Sequence, residues 1–124
     1  MTDQIYAVRS SEDFAAQAEA VFDRLEQKAD FETAEDWRVG LQHAKASMAT
    51  LPARCVRAEE DQFYQKKYPG PPLRVLLYRR GRNTWRLLFT AHEATADDPA
   101  YVMLHQLRHG AQKPLTKWPS PRKS

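Results

Sequence analysis

The sequence predicts an α+β domain in which a helical hairpin lies on a small antiparallel sheet, in the element order β-α-α-β-β-β. Three observations carry that prediction. Residues 73–110 contain three apolar, β-favouring runs separated by turn residues. Residues 12–51 contain two stretches whose apolar residues recur at helical spacing on either side of a short break. Ahead of both, Ile5 to Arg9 alternates in the manner of a short strand. Two amphipathic helices joined by a short link must bury their apolar faces against another layer, and the meander that follows supplies it.

Each element has a local cause. Ser10 and Ser11 offer an N-cap, Ser10 with Asp13 approximates a capping box, and Glu12 and Asp13 suit the positive end of a helix dipole. The first helix is expected from about Glu12 to Lys28, with Phe14, Ala18, Val21, Phe22 and Leu25 on one face. A break at Ala29 to Glu32 leads to a second helix capped near Thr33, with Trp37, Leu41, Ala44, Met48 and Leu51 aligned until Pro52 stops it. Residues 52–72 are expected to be irregular, ending in the extended Pro69-Gly70-Pro71-Pro72. Leu73 to Tyr78, Trp85 to Thr90 and Tyr101 to Leu107 are the three meander strands, with a turn over Arg79 to Asn83 and a second over Ala94 to Pro99. Residues 1–112 form a single domain, and residues 113–124 are expected to be a flexible basic tail containing prolines, with Leu115 and Trp118 able to anchor part of it.

Composition narrows the function. No apolar run approaches the length of a membrane span, the start has no secretory pattern, and the single cysteine, Cys55, cannot form an internal disulfide. A cytoplasmic location and no membrane association are expected. His43 and His92 have no partner at ligand spacing, no Cys/His cluster suggests a metal, and there is no glycine-rich phosphate loop, so neither metal nor cofactor is expected. The charge is uneven: residues 1–72 hold 9 Lys+Arg against 13 Asp+Glu, and residues 73–124 hold 10 against 3. An acidic first part and a basic second part predict one-sided contact with any polyanion or acidic surface.

Arginines at Arg74, Arg86 and Arg108, inside and at the ends of apolar strands, are the candidate functional groups. Pairing Tyr78 with Arg86 and Leu76 with Leu88 puts Arg74, Tyr78 and Arg86 on one face and Val75, Leu77, Leu87 and Phe89 on the other. The second face then covers the helices, and the first presents guanidinium forks suited to phosphate or carboxylate. Solvated arginines protecting an exposed sheet face are the bland alternative. His109, beside Arg108, is either a surface residue capping a strand end or a group that titrates near neutrality for acid–base work. His105 alternates with Met103 and Leu107 and reads as a half-buried sheet residue. Cys55 reads as a small loop hydrophobe. Lys66 and Lys67, with Phe63, Tyr64 and Tyr68, interleave charge and rings as nucleic-acid binders do, although an aromatic loop anchor has the same pattern.

The element order, with Trp37-x-x-Gly40-Leu41, Leu51-Pro52-x-Arg54-Cys55, Arg74-Val-Leu-Leu-Tyr78, Trp85-Arg86-Leu-Leu-Phe89 and Leu104-His105-x-x-Arg108-His109-Gly110-Ala111, resembles the RelE/ParE superfamily of toxins from bacterial type II toxin–antitoxin modules. The resemblance covers about residues 5–115. Trp85 stands where a tyrosine is common, and Gln112 where a basic residue often follows. The resemblance implies a growth-arresting protein of a plasmid-stabilisation type module, with a cognate antitoxin as partner.

Two mechanisms follow from the resemblance. In a ParE-like protein the chain is a non-enzymatic inhibitor of DNA gyrase. In a RelE-like protein it cleaves mRNA on the ribosome, with Arg86 stabilising phosphorane charge and His109 as acid or base. Arg74, Tyr78, Arg86 and Arg108 would bind target or phosphate in either case. The ribonuclease branch commonly carries a tyrosine or second acid/base near the C-terminus, and none follows Tyr101, so the ParE-like reading is favoured. A decayed, inactive member is the third reading.

Overall fold

The structure, a computed structural model, describes residues 5–50 and 52–119. Strand β1 (Ala7–Ser10) leads into helices α1 (Glu12–Lys28) and α2 (Phe31–Ser47), a single 3₁₀ turn (Pro52–Arg54), helix α3 (Asp61–Lys67) and strands β2 (Arg74–Arg80), β3 (Asn83–His92) and β4 (Tyr101–His109). The sheet runs β1-β4-β3-β2, with β1 parallel to β4 and the other pairs antiparallel. The fold is α+β, with the α1–α2 hairpin packed on the sheet.

Helix α1 has the expected bounds because its N-cap works locally: the Ser11 hydroxyl accepts from the Phe14 amide at 3.1 Å. Helix α2 starts two residues before the expected cap. Asp30, not Thr33, is the N-cap, and its carboxylate accepts from the Thr33 amide at 2.7 Å. Leu51, expected on the face of α2, lies outside the described residues. Residues 52–72 are not irregular throughout, since α3 forms within them. Its two sides are held by the Asp61 carboxylate, which accepts from the Leu73 amide at 2.8 Å, and by Gln65, whose amide donates to the Pro71 carbonyl at 2.9 Å.

The β2–β3 register differs from the expected one by a single residue. Tyr78 pairs with Trp85, Leu77 with Arg86, Leu76 with Leu87 and Arg74 with Phe89. Leu76, Tyr78, Trp85, Leu87 and Phe89 therefore meet Phe14, Trp37, Leu41 and Met48 in the main core. Val75 goes to the opposite face and Leu77 is exposed, so neither covers the helices. The turn sets this register: the hairpin closes through Gly81 and Arg82 alone, with Gly81 at φ +60°, where a side chain would be strained.

The opposite face of the sheet is also covered, by α3 and the C-terminal segment. Ala58, Tyr64, Leu73, Leu88 and Trp118 form a second buried cluster, with Val75 and Leu115 against it. Two covered faces explain why Leu87 to Thr90 are buried without alternation. In β4 a bulge interrupts the alternation: Leu88 pairs with Gln106 and Phe89 with Leu104, leaving His105 as the extra residue. Leu104 and Leu107 consequently both face the helices, whereas a regular strand would put them on opposite sides and His105 with Leu107.

Gly40 marks the closest approach of helix to sheet. The Tyr78 hydroxyl donates to the Trp37 carbonyl at 2.8 Å, and its ring lies across α2 where Gly40 has no side chain. A Cβ at residue 40 would lie inside the contact distance of the hydroxyl oxygen and 2.9 Å from Cζ.

Candidate functional site

The candidate arginines are divided between faces and committed to internal partners. Arg86 and Arg108 are register partners on the α3 side of the sheet. Arg74 pairs with Phe89 on the other parity, so it does not share a face with Arg86. Its guanidinium donates to the Cys55 carbonyl at 2.7 Å and ties the 3₁₀ segment to the sheet edge. The Tyr78 hydroxyl is likewise engaged, on α2, and burial pushes its pKa up. A face combining Arg74, Tyr78 and Arg86 does not exist in this register.

Among the described residues, the ion pair least exposed on both sides is that of Arg86 with Glu60. Both arms of the fork donate to the carboxylate, each at 2.7 Å. The Glu60 side chain is 0% exposed and that of Arg86 15%. Burial acts to raise the Glu60 pKa, but the hydrogen bonds and charge of Arg86 bring it below the ordinary carboxylate value. The hydrogen bonds to Glu60 in turn raise Arg86. Arg108 lies beside them, with Nη2 donating to the Lys113 carbonyl at 3.0 Å and Nε buried without a partner. Burial pushes the Arg108 pKa down, while Glu60 opposes that shift. One carboxylate thus serves two guanidinium groups beneath the C-terminal segment.

His109 falls on the helix side, edge-on to Trp85 at 5.4 Å. Its Nδ1 accepts from the Ala111 amide at 3.0 Å, so Nε2 carries the proton and donates to Asn83 Oδ1 at 3.0 Å. The Gln112 side chain closes the same turn by accepting from the His109 amide at 2.7 Å. His109 borders a cleft of about 520 Å³ between α1 and the ends of β3 and β4. Arg24 and Lys28 line that cleft from α1, one helical turn apart. These two cations lie within the acidic part of the sequence, and only the helix packing brings them to His109.

A third polar cluster crosses the sheet on the α3 side. The Thr90 hydroxyl lies 2.7 Å from His92 Nε2 and 2.9 Å from His105 Nε2. With one proton on the hydroxyl and both rings neutral, Thr90 donates to one imidazole and accepts from the other. Burial, with His92 nearby, drops the His105 pKa to about 4. His92 stacks on Tyr101 at 4.4 Å, and Arg9 lies over the other ring at 4.3 Å from its centroid.

No protein-family model matches this chain, and no curated protein matches it either. The site is therefore read from its own geometry. Among the described residues no group of His, Cys, Asp or Glu is arranged to hold a metal ion, and no helix is long and apolar enough to cross a membrane. Cys55 is half-buried and burial raises its thiol pKa, against Arg54 and Arg74, which leaves it unactivated.

Of the residues nominated from sequence, the fold brings Arg86 and Arg108 together and separates both from Arg74, Tyr78 and His109. Glu60, Arg24, Lys28 and Asn83 were missed. Glu60 had no local signal, because its partner is 26 positions away and on another element. The Thr90–His92 contact was missed because the strand was expected to end at Thr90; β3 runs on to His92, and two residues at i and i+2 of a strand share a face.

Proposed function

We propose that this chain is the toxin of a type II toxin–antitoxin pair of the RelE/ParE kind, acting by binding rather than by catalysis, with DNA gyrase as its target. The ordered fragments from Trp37 to Ala111 support the family reading, as does a strand and helical hairpin followed by a three-stranded meander, with α3 inserted between hairpin and meander. The observation that carries the binding mechanism is the closed Arg86–Glu60 pair. A guanidinium whose two arms are taken by a buried carboxylate is a structural group, and it does not offer its fork to a scissile phosphate.

The antitoxin would cover the outer groove of the helical hairpin. That groove, of about 630 Å³, is floored by Phe14, Ala18, Phe22 and Leu41 and flanked by the exposed Phe31. Glu19, Glu35, Arg38 and Lys45 line it with both signs of charge, so an amphipathic helix with mixed charges is the matching occupant.

A specific observation favours a second reading, ribosome-dependent mRNA cleavage: His109 shares its cleft with Arg24 and Lys28, as an acid–base group beside phosphate-binding cations would. Induced expression with parallel assays of gyrase supercoiling and of mRNA cleavage in a translating extract separates the two. Gyrase inhibition that survives His109→Gln supports the binding mechanism. Ribosome-dependent cleavage abolished by that substitution at unchanged stability overturns it, and growth unaffected by expression without the antitoxin identifies an inactive member.

A further inference from the structure

The α3 side carries a feature used by neither the arginine pair nor the His109 cleft. Tyr64 on α3 and Tyr68 at its C-cap lie four residues apart, their ring centroids 5.5 Å apart. Trp118 arrives from the C-terminal segment edge-on to Tyr64 at 4.9 Å, and His105, pushed out by the β4 bulge, lies 5.3 Å from Tyr64 and 6.1 Å from Trp118. These four rings line a cavity of about 170 Å³, with Asp13 and Gln106 on its polar wall. Across the Trp118 indole is a second depression of about 390 Å³, lined by Phe63, Lys66, Lys67 and Lys117.

We propose that the cavity and the depression together form a nucleotide site, the cavity receiving a base and the three lysines its phosphate. Four aromatic groups from three parts of the chain offer a base the contacts that sequence-tolerant stacking uses. The Gln106 side-chain nitrogen can donate to the edge of a heterocycle, its oxygen being held by Gln17 Nε2 at 2.5 Å. The volume is below the roughly 300 Å³ at which pockets begin to hold drug-sized ligands, so one ring system is the matching occupant. A bare organic cation would meet three lysines nearby, and inorganic phosphate would have no use for the rings. His105 suits the wall because burial keeps it neutral at pH 7. This site goes beyond the toxin reading and does not depend on it.

The test is titration of the purified protein with adenosine and guanosine 5′-monophosphates, adenosine and orthophosphate, followed by calorimetry and tryptophan emission. A nucleoside monophosphate is expected to bind more tightly than adenosine and much more tightly than orthophosphate, with a quenching of tryptophan emission that is lost in Trp118→Phe. Tyr68→Ala, at an exposed ring, should weaken the nucleotide between about 5-fold and 100-fold. Lys67→Glu should weaken the nucleotide about tenfold and leave adenosine unchanged. A 5′-phosphorylated tetranucleotide that binds the same site more tightly assigns it to a strand end, and equal affinity assigns it to the free nucleotide. Nucleotide affinity no better than that of orthophosphate, preferential binding of tetramethylammonium, or binding indifferent to both Tyr68→Ala and Lys67→Glu overturns the proposal.

Discussion

Replacing Arg86 tests whether it is a structural or a reactive group. Glu60 has no exposure and, among the described residues, only the Arg86 cation at hydrogen-bond distance to neutralise it, through contacts of 2.7 Å to each oxygen. At an effective dielectric of about 20, charges ~4 Å apart attract by about 4 kcal/mol, and truncating one member of a buried pair costs about 3–5 kcal/mol because the other is left charged and dry. Arg86→Ala should therefore lower unfolding stability by about 3–5 kcal/mol in urea melts followed by the emission of Trp37 and Trp85, both buried in the main core. Glu60→Ala should cost a similar amount, since it leaves Arg86 and Arg108 facing each other. The double variant Glu60→Leu, Arg86→Met should recover most of either loss, because shape is kept and both charges go together. The wild-type contribution is also pH-dependent. The folded Glu60 pKa lies below the ordinary value of 4.5, so the stabilisation is present above that value and is lost as pH falls through the lowered one. Arg86→Ala at a cost under about 1 kcal/mol, or a double variant as unstable as the worse single, would refute the closed pair and return Arg86 to the list of reactive groups.

Gly40→Ala should destabilise by about 1–3 kcal/mol, because the new methyl meets the Tyr78 ring, and Tyr78→Phe in the same chain should relieve part of that loss by removing the hydroxyl; chemical denaturation of the two single variants and the pair measures it. His105 predicts a second pH effect. Its folded pKa of about 4 lies below the ordinary 6.5, so the unfolded chain takes up a proton first as pH falls, and stability present above pH 6.5 declines by about 3 kcal/mol down to pH 4. The difference between wild-type and His105→Gln melts should show this slope only between those limits, and a flat difference would mean that the imidazole is hydrated.

The sequence by itself determined the fold class, the bounds of α1 and the existence of three meander strands, because caps, helical periodicity and turn residues act within a few positions of themselves. Trp37, Leu41 and Met48 were placed correctly in the core for the same reason. The sheet's register was not determined locally. Val75, Leu76 and Leu77 are apolar in succession, as are Leu87, Leu88 and Phe89, so a period of two has no phase to report. The tight turn at Gly81 and Arg82 chose the phase, and the covering of the second face by α3 and Trp118 made apolar residues acceptable there. Helix α3, at seven residues, was too short for periodicity to identify and is held by the carboxylate and amide of Asp61 and Gln65 reaching toward β2. The bulge that moves His105 into the second cluster, and the pairing of Glu60 with Arg86, depend on contacts between elements distant in sequence. They were decided only when the tertiary structure removed water from both faces of the sheet, which left each buried polar group in need of a partner.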